Sequence, residues 1–220
     1  MQVNSKAGFF ISLEGIEGTG KTTQSAYLSD RLAALGLGCL LTHEPGDTVI
    51  GEKIREVLLH TGHKEMTFMT ELLLYNAARA QLLDEKIRPA LARGMIVITD
   101  RFSDSTVAYQ GYGRGIDLEL IASLDSIATQ CTKPDLTLLF DLDIETGLRR
   151  NRKINKVDRL ELEDIAFHTK VSQGFNEIAR KEPDRVRIVD ASLPLEKVQE
   201  SVWKILSEEV NHSRLKSRAS

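Results

Sequence analysis

The sequence carries little that would take it out of a reducing, aqueous compartment. It has two cysteines in 220 residues, Cys39 and Cys131, far apart and each in or near an apolar stretch. Two such thiols fit buried free cysteines better than a disulfide framework. A basic amino-terminal segment leading into a long apolar stretch is missing, because Phe9–Leu13 is too short to act as a secretory core. No run approaches the roughly 18 apolar residues of a membrane span. Positive charge is not in excess either: the net charge is −3 and the isoelectric point about 6.0, which argues against a general nucleic-acid binder. Internal repeats and linkers are also lacking. The expectation is a soluble, cytoplasmic protein without nucleic-acid or membrane partners.

What is present is ordinary globular material, 41% hydrophobic and 28% charged. A chain of this length buries about 70% or more of its unfolded surface, enough for one domain over residues 1–210. The chain is organised around residues 8–24. Phe9–Leu13 reads as a short buried strand, Gly15 to Thr22 fits Gly-x-x-x-x-Gly-Lys-Ser/Thr, and an amphipathic helix follows. Strand, glycine loop and helix in that order form the context that separates this motif from a chance match. Three glycines in six positions let the loop turn its N–H groups inward onto a phosphate oxygen. The helix that begins there adds its free N–H groups and dipole. Residues Gly15, Ile16, Glu17, Gly18, Thr19, Gly20, Lys21, Thr22 and Thr23 are therefore the expected nucleoside-triphosphate loop, the ATP-binding residues of the resemblance given below. In it Lys21 reaches the outer phosphates and the Thr22 hydroxyl holds Mg²⁺.

Apolar periodicity places helices over about Lys21–Leu35, Thr48–His60, Leu118–Thr129, 159–181 and Leu195–Val210. In the second of these, Ile50, Ile54, Val57 and Leu58 are expected to face inward. A longer helix runs over about Thr67–Arg93, broken or kinked near Pro89. Further strands are Cys39–Thr42, Met95–Asp100, Leu136–Asp141 and Val186–Val189. Residues 102–116, with Gly111, Gly113 and Gly115, read as a loop, and 211–220 as a disordered tail. Strands alternating with helices imply a parallel sheet covered on both faces. Ligands then sit beyond the carboxyl ends of the strands, where Glu14–Thr22, His43–Asp47, Asp100–Arg101 and Asp141–Asp143 all fall.

A phosphate loop leaves the second substrate open. Tyr75 and Arg79, four apart, share a helix face, where ring and guanidinium can stack on a planar base and bond its edge. A core tyrosine beside a salt-bridged arginine explains the pair equally well. Asp100-Arg101 after a buried strand is stronger, because a charge pair there is not needed for packing and arginine suits a phosphate. Ser105, Tyr109 and Gln110 add convergent polar groups. The basic run Arg149, Arg150, Arg152, Lys153 and Lys156 reads either as a solvated helix face or as a lid, about residues 149–158, closing cations over the triphosphate. His60-Thr61-Gly62-His63 has the spacing of a metal pair, but with no cysteine or third histidine nearby a solvated loop is the better reading.

Several stretches together resemble the bacterial thymidylate kinase family. They are Glu14–Thr23, the Glu44-Pro45-Gly46 turn, Gly51-Glu52-Lys53-Ile54-Arg55 and Tyr75-Asn76-Ala77-Ala78-Arg79. Asp100-Arg101, Ser105-Thr106-Val107-Ala108-Tyr109-Gln110-Gly111, Pro134-Asp135-Leu136 and Asp158-Arg159 complete the set, which spans residues 8 to about 206. The resemblance implies an α/β P-loop NTPase fold: a three-layer sandwich, with a five-stranded parallel sheet, helices on both faces and a short lid. It implies the reaction Mg·ATP + dTMP → ADP + dTDP, and usually a homodimer whose interface the apolar faces of the long helices can supply. It implies that Tyr75 stacks on thymine, that Arg79 and Gln110 bond its edge, that Arg101 and Arg55 hold the dTMP phosphate, and that Pro45 and Ser105 also contact this substrate. Tyr109 would crowd the 2′ carbon and Glu17 would approach the 3′-hydroxyl. Lys21, Arg101, Glu17 and the lid arginines are the expected catalytic groups. Thr22 is the expected metal ligand, with Asp100 or Glu17 assisting through water.

Two positions depart from the family pattern. His43 stands where the family usually has arginine, replacing a fixed cation with one that titrates near neutrality. Ile154 stands where a lid arginine is expected, which leaves Arg150 or Arg152 as the phosphate clamp. Gly18 after Glu17 places the chain among the members with the arginine in the lid. Other nucleoside monophosphate kinases share the fold logic but not the Tyr109-Gln110 block. A GTP-dependent switch is a more distant alternative. Asn155-Lys156-Val157-Asp158 matches the Asn-Lys-x-Asp guanine motif, yet it follows Arg149–Ile154 in place of a buried strand. No Asp-x-x-Gly occurs in the chain.

Overall fold

A computed structural model describes residues 8–152 and 158–219, with side chains for 8–151 and 158–210. Its centre is β1 (Phe9–Glu14), flanked by β3 (Ile96–Asp100) and β4 (Leu136–Asp141), with β2 (Cys39–His43) and β5 (Val186–Asp190) outside them. All pairings are parallel, in the order β2-β3-β1-β4-β5. The helices are α1 (Lys21–Ala34), α2 (Val49–Leu59), α3 (Phe68–Leu82), α4 (Arg88–Ala92) and α5 (Ser103–Thr106). They continue with α6 (Leu118–Thr129), α7 (Ile144–Arg152), α8 (Ile165–Lys181) and α9 (Leu195–Ala219).

Alternation along β1 divides the core into two layers, as the two-residue period of a strand requires. Phe9, Ile11 and Leu13 pack with Leu28 and Leu32 of α1 and Val198, Val202 and Leu206 of α9. Phe10 points the other way, onto Leu82, Leu83, Val97 and Phe102, meeting the Phe102 ring edge-on at 4.9 Å. On that same face, under β4, lie Tyr109, Phe167, Val171 and Phe175. The expected five-stranded α/β sandwich is therefore the one found. Register sets its working edge: Leu13 and His43 both pair with Asp100, so the ends of β1, β2 and β3 lie side by side. Among the described residues no helix is long and apolar enough to cross a membrane.

Several local expectations need correction. The segment read as a loop over 102–116 is mostly helical: α5 runs directly into a wide π-helical stretch, Val107–Gly113. Its glycines mark close packing. A Cβ at Gly113 would lie 2.6 Å from the Phe167 ring of α8, and one at Gly174 of α8 would meet the Tyr112 ring at 2.8 Å. The helix read from 159 starts at Ile165, because Asp164 caps it by accepting the Phe167 N–H at 2.7 Å. The long helix does not break: residues 68–92 stay helical, and the irregularity is a π-helical turn at Leu83–Ile87 just before Pro89 in α4. In α2, capped by Thr48, Leu58 is buried but Ile50 and Val57 are exposed. Cys131 is exposed and Cys39 half-buried, not buried as expected. Helix α9 runs on through the polar tail to Ala219, past the expected end at Val210.

Candidate active site

The loop between β1 and α1 is shaped before any phosphate arrives. Gly15, Gly18 and Gly20 all have positive φ, and Gly18 has no room for a Cβ against the Gly147 carbonyl of α7. Lys21 folds back so that its Nζ donates to Gly15 O at 2.9 Å, Ile16 O at 2.7 Å and Thr19 Oγ1 at 3.2 Å. Burial, with the Arg101 charge adding to it, pushes the ammonium down to about 8. The loop thus holds a desolvated cation against its own carbonyls. Thr22 Oγ1 donates to Asp100 Oδ2 at 2.6 Å, a contact that exists because β1 and β3 are neighbours.

Arg101 joins the loop to the second half of the site. Its φ of +75° is unusual for a residue with a side chain and costs on the order of 1–3 kcal/mol. The strain is held by the Arg101 N–H donating to Leu13 O at 3.0 Å and by Thr99 Oγ1 donating to Arg101 O at 2.8 Å. The guanidinium then reaches Gly15 O and Ser105 Oγ, both at 3.0 Å, and Glu17 Oε1 at 3.1 Å. Tyr109 donates to the same Glu17 oxygen at 2.5 Å. Burial works against the Glu17 charge, but Arg101, Lys21 and the Tyr109 hydroxyl outweigh it and hold the carboxyl below its usual value. Glu14, beneath Arg101, accepts from Phe102 N–H at 2.7 Å and Ser105 Oγ at 2.6 Å. Burial and the nearby Asp104 push its carboxyl up to about 8.

Beyond Arg101 the chain gathers a second pocket. Arg79 is 1% exposed, among the most buried large side chains of the protein. It donates through Nε to Glu44 at 2.8 Å and through Nη1 to Asp125 at 3.1 Å, over the Phe102 ring. Tyr75 packs against the Tyr109 cluster, and burial raises its phenol well above the ordinary value. Gln110 donates to Glu71 at 2.8 Å. Arg55 donates to Pro45 O at 2.7 Å, tying α2 to the Glu44–Gly46 turn. His43 Nε2 lies 3.2 Å from Glu52, whose same oxygen accepts the Asp47 N–H at 2.6 Å.

These two halves open into one cleft of about 770 Å³. The cleft is lined on one side by Glu17, Gly18, Gly20, Lys21, Thr22 and Thr23. The other side is lined by Pro45, Arg55, Tyr75, Arg79, Tyr109 and Gln110, with Asp100, Arg101 and Ser105 between. Gly15, Ile16 and Thr19 stand behind the loop, as carbonyl or hydroxyl partners of Lys21. Arg150 also lines the cleft, but its guanidinium donates to Ala191 O at 3.0 Å, beyond β5. The side chain of Arg152, and all of Lys153, Ile154, Asn155, Lys156 and Val157, lie outside the described residues. His60 and His63 are elsewhere, in a turn where His60 Nδ1 accepts the Gly62 N–H at 3.1 Å.

Most of the chain compares closely with known proteins. The family model described as thymidylate kinase matches residues 13–202. The chain belongs to the thymidylate kinase family. The thymidylate kinase of Syntrophotalea carbinolica is 48% identical over 209 residues, covering 92% of this chain and 97% of that protein. That of Pseudomonas fluorescens is 51% identical over 199 residues, covering 90% and 95%. The crystal structure of thymidylate kinase from Ehrlichia chaffeensis superposes with a TM-score of 0.76 at 34% identity, covering 91% of this chain and 99% of that one.

Sequence reasoning passed over the buried acids that set the site. Glu71, fully buried, holds Gln110 and Arg114; its place four residues before Tyr75 on the same helix face was the available signal. Asp125 and Glu44 together neutralise Arg79, and no local pattern pairs them. Asp158 and Glu161 also line the cleft, where burial and the neighbouring Asp158 push Glu161 up to about 7.

Proposed function

We propose that, in transferring the γ-phosphoryl group of ATP to the 5′-phosphate of dTMP, this chain divides the work between the two halves of its cleft. The observation that carries the reading is Arg101, whose guanidinium bonds both the phosphate loop at Gly15 and the Ser105–Tyr109 segment. A phosphate in the second pocket would meet this cation beside the donor's terminal phosphate. Loop N–H groups and Lys21 take the β- and γ-phosphates; Arg101 and Arg55 take the acceptor phosphate. An acceptor oxygen then attacks the γ-phosphorus in line as the bond to the ADP oxygen breaks. Rate comes from positioning and from cations around the equatorial oxygens.

Thr22 and Asp100 offer a hydroxyl and a carboxylate already in contact, a hard oxygen set that suits Mg²⁺ completed by phosphate and water oxygens. Thr22 and Asp100 would hold the ion, which would supply charge neutralisation to the phosphates. Tyr75 stacks on thymine, Arg79 and Gln110 bond its edge, and Tyr109 crowds the 2′ carbon while Glu17 accepts from the 3′-hydroxyl. Arg150, leaving the Ala191 carbonyl, or else Arg152, clamps the triphosphate. Gly15–Thr23 form the ATP loop, Pro45 and Ser105 border the dTMP phosphate, and about 149–158 is the lid.

The exposed apolar side chains Val49, Ile50 and Val57 of α2 and Phe68, Met69 and Leu73 of α3 support a homodimer, which sedimentation would report as twice 24.6 kDa. Two free thiols suit the cytoplasm. The decisive assay is ADP release from Mg·ATP with dTMP, dUMP, UMP, AMP and GMP offered separately. Strong turnover with dTMP, less with dUMP and none with UMP is the expected result. Preference for AMP, GMP or UMP overturns the base and sugar assignments.

A further inference from the structure

Glu71, Tyr75 and Arg79 recur every fourth residue of α3 and so form one stripe along it. Tyr75 and Arg79 reach the cleft; Glu71, one turn earlier, has no exposed surface. Its Oε1 accepts from Gln110 Nε2 at 2.8 Å and from Arg114 Nε at 3.2 Å. Its Oε2 accepts from Arg114 Nη2 at 3.2 Å and pairs with the Arg159 guanidinium. Arg114 also pairs with Glu163 at 2.7 Å, and Arg159 donates to Leu58 O at 3.1 Å, so this one carboxylate ties α3 to the 107–113 stretch, the end of α2 and the segment before α8. Burial pushes the Glu71 carboxyl upward, but the bonds from Arg114 and Gln110 and the two arginine charges outweigh it and hold it below the usual value.

An ionised carboxylate can only accept hydrogen bonds, whereas a glutamine amide has one donating and one accepting end. Facing Glu71, the Gln110 amide must turn its NH₂ inward, which leaves its oxygen for the cleft. We propose that Glu71 is a positioning residue for base selection: it locks the Gln110 amide with its oxygen toward the base, so that the pocket takes a pyrimidine carrying a donor at N3 and rejects cytosine. Thymine and uracil offer an N3–H to that oxygen and an O4 to the Arg79 donors. Cytosine presents an unprotonated N3 and an amino group, leaving two mismatched pairs in a buried site, where unmade bonds are costly. The inference rests on the thymidylate reading of Gln110 and Arg79 above.

The test is calorimetric binding of dTMP, dUMP and dCMP to the wild type, Glu71→Gln and Gln110→Leu. In Glu71→Gln the new side chain can present either end of its amide, so Gln110 is free to flip. Glu71→Gln should lower the dTMP-over-dCMP preference at least tenfold and leave dTMP-over-dUMP unchanged, since those two bases offer the same edge groups. Gln110→Leu, which keeps the buried Glu71 pairs with the arginines, should lower the same preference tenfold, and Glu71→Asp, a carboxylate one methylene short of Gln110, should do so too and carries the test of Glu71 if Glu71→Gln does not fold. Weaker binding of all three nucleotides in parallel, with the dTMP-over-dCMP ratio kept in the folded variants, overturns the inference while leaving the thymidylate reading intact. A wild type that binds dCMP as well as dTMP overturns both.

Discussion

The glycine loop after β1 and the proposed nucleoside pocket share a cleft but are held together over very different lengths of chain. In the loop, Lys21 bonds Gly15 six residues away and Thr19 two away. In the pocket, Arg79 bonds Glu44 across 35 residues and Asp125 across 46, and Gln110 bonds Glu71 across 39. The loop is a backbone cradle with one desolvated lysine; the pocket is a set of buried charges that satisfy one another. Damage to the first should therefore cost rate, and damage to the second should cost the fold as well.

The contrast is sharpest at its two central cations. Lys21→Met should reduce kcat about 10³-fold, roughly 4 kcal/mol of transition-state stabilisation, with denaturant stability unchanged or higher because a buried ammonium has gone. Arg79→Met should instead destabilise the protein by about 3 kcal/mol or more in urea unfolding, since it leaves Glu44 and Asp125 without their cation. A stable Arg79→Met protein that has merely lost dTMP affinity would break the distinction.

Smaller effects refine it. Arg150 rests on the Ala191 carbonyl, so Arg150→Ala should lower kcat at least tenfold, about 1.4 kcal/mol, if it is the clamp. If Arg150→Ala and Arg152→Ala both keep full kcat, the clamp lies elsewhere. Smallest is a proton count. The ammonium of Lys21 is depressed to about 8 in the free protein; a bound polyphosphate favours the charged form and raises it again. Binding of ATP near pH 8 should then take up about half a proton, seen by calorimetry in buffers of different ionisation enthalpy and absent in Lys21→Met. The sign for Glu14 is opposite in pH. Its carboxyl is raised to about 8 from an unperturbed 4.5, so its share of stability is complete below about 4.5 and is lost as pH rises through 8.

The same difference in span explains what could be read from the chain alone. Gly15–Thr22 is a contiguous pattern with a contiguous cause, and the strand ends that place Asp100 beside Thr22 follow from apolar runs of a few residues. The Val107–Gly113 helix was hidden because Gly111 and Gly113 look like loop residues until Phe167 of α8 is brought against them. Ile50 and Val57 carry helical periodicity that a single chain leaves exposed. The Arg79 reading stood between a base contact and an ion pair; the structure shows the ion pair, with two carboxylates on a guanidinium that also lines the cleft. Glu71 alone had a legible position, but its partners lie on other elements.

The division of labour is tested most directly by measuring dTMP binding to Lys21→Met by calorimetry. If the nucleoside pocket is built independently of the phosphate loop, the inactive variant binds dTMP within about threefold of the wild type, as separate sites do. A loss of tenfold or more would contradict it and make the two halves a single electrostatic unit.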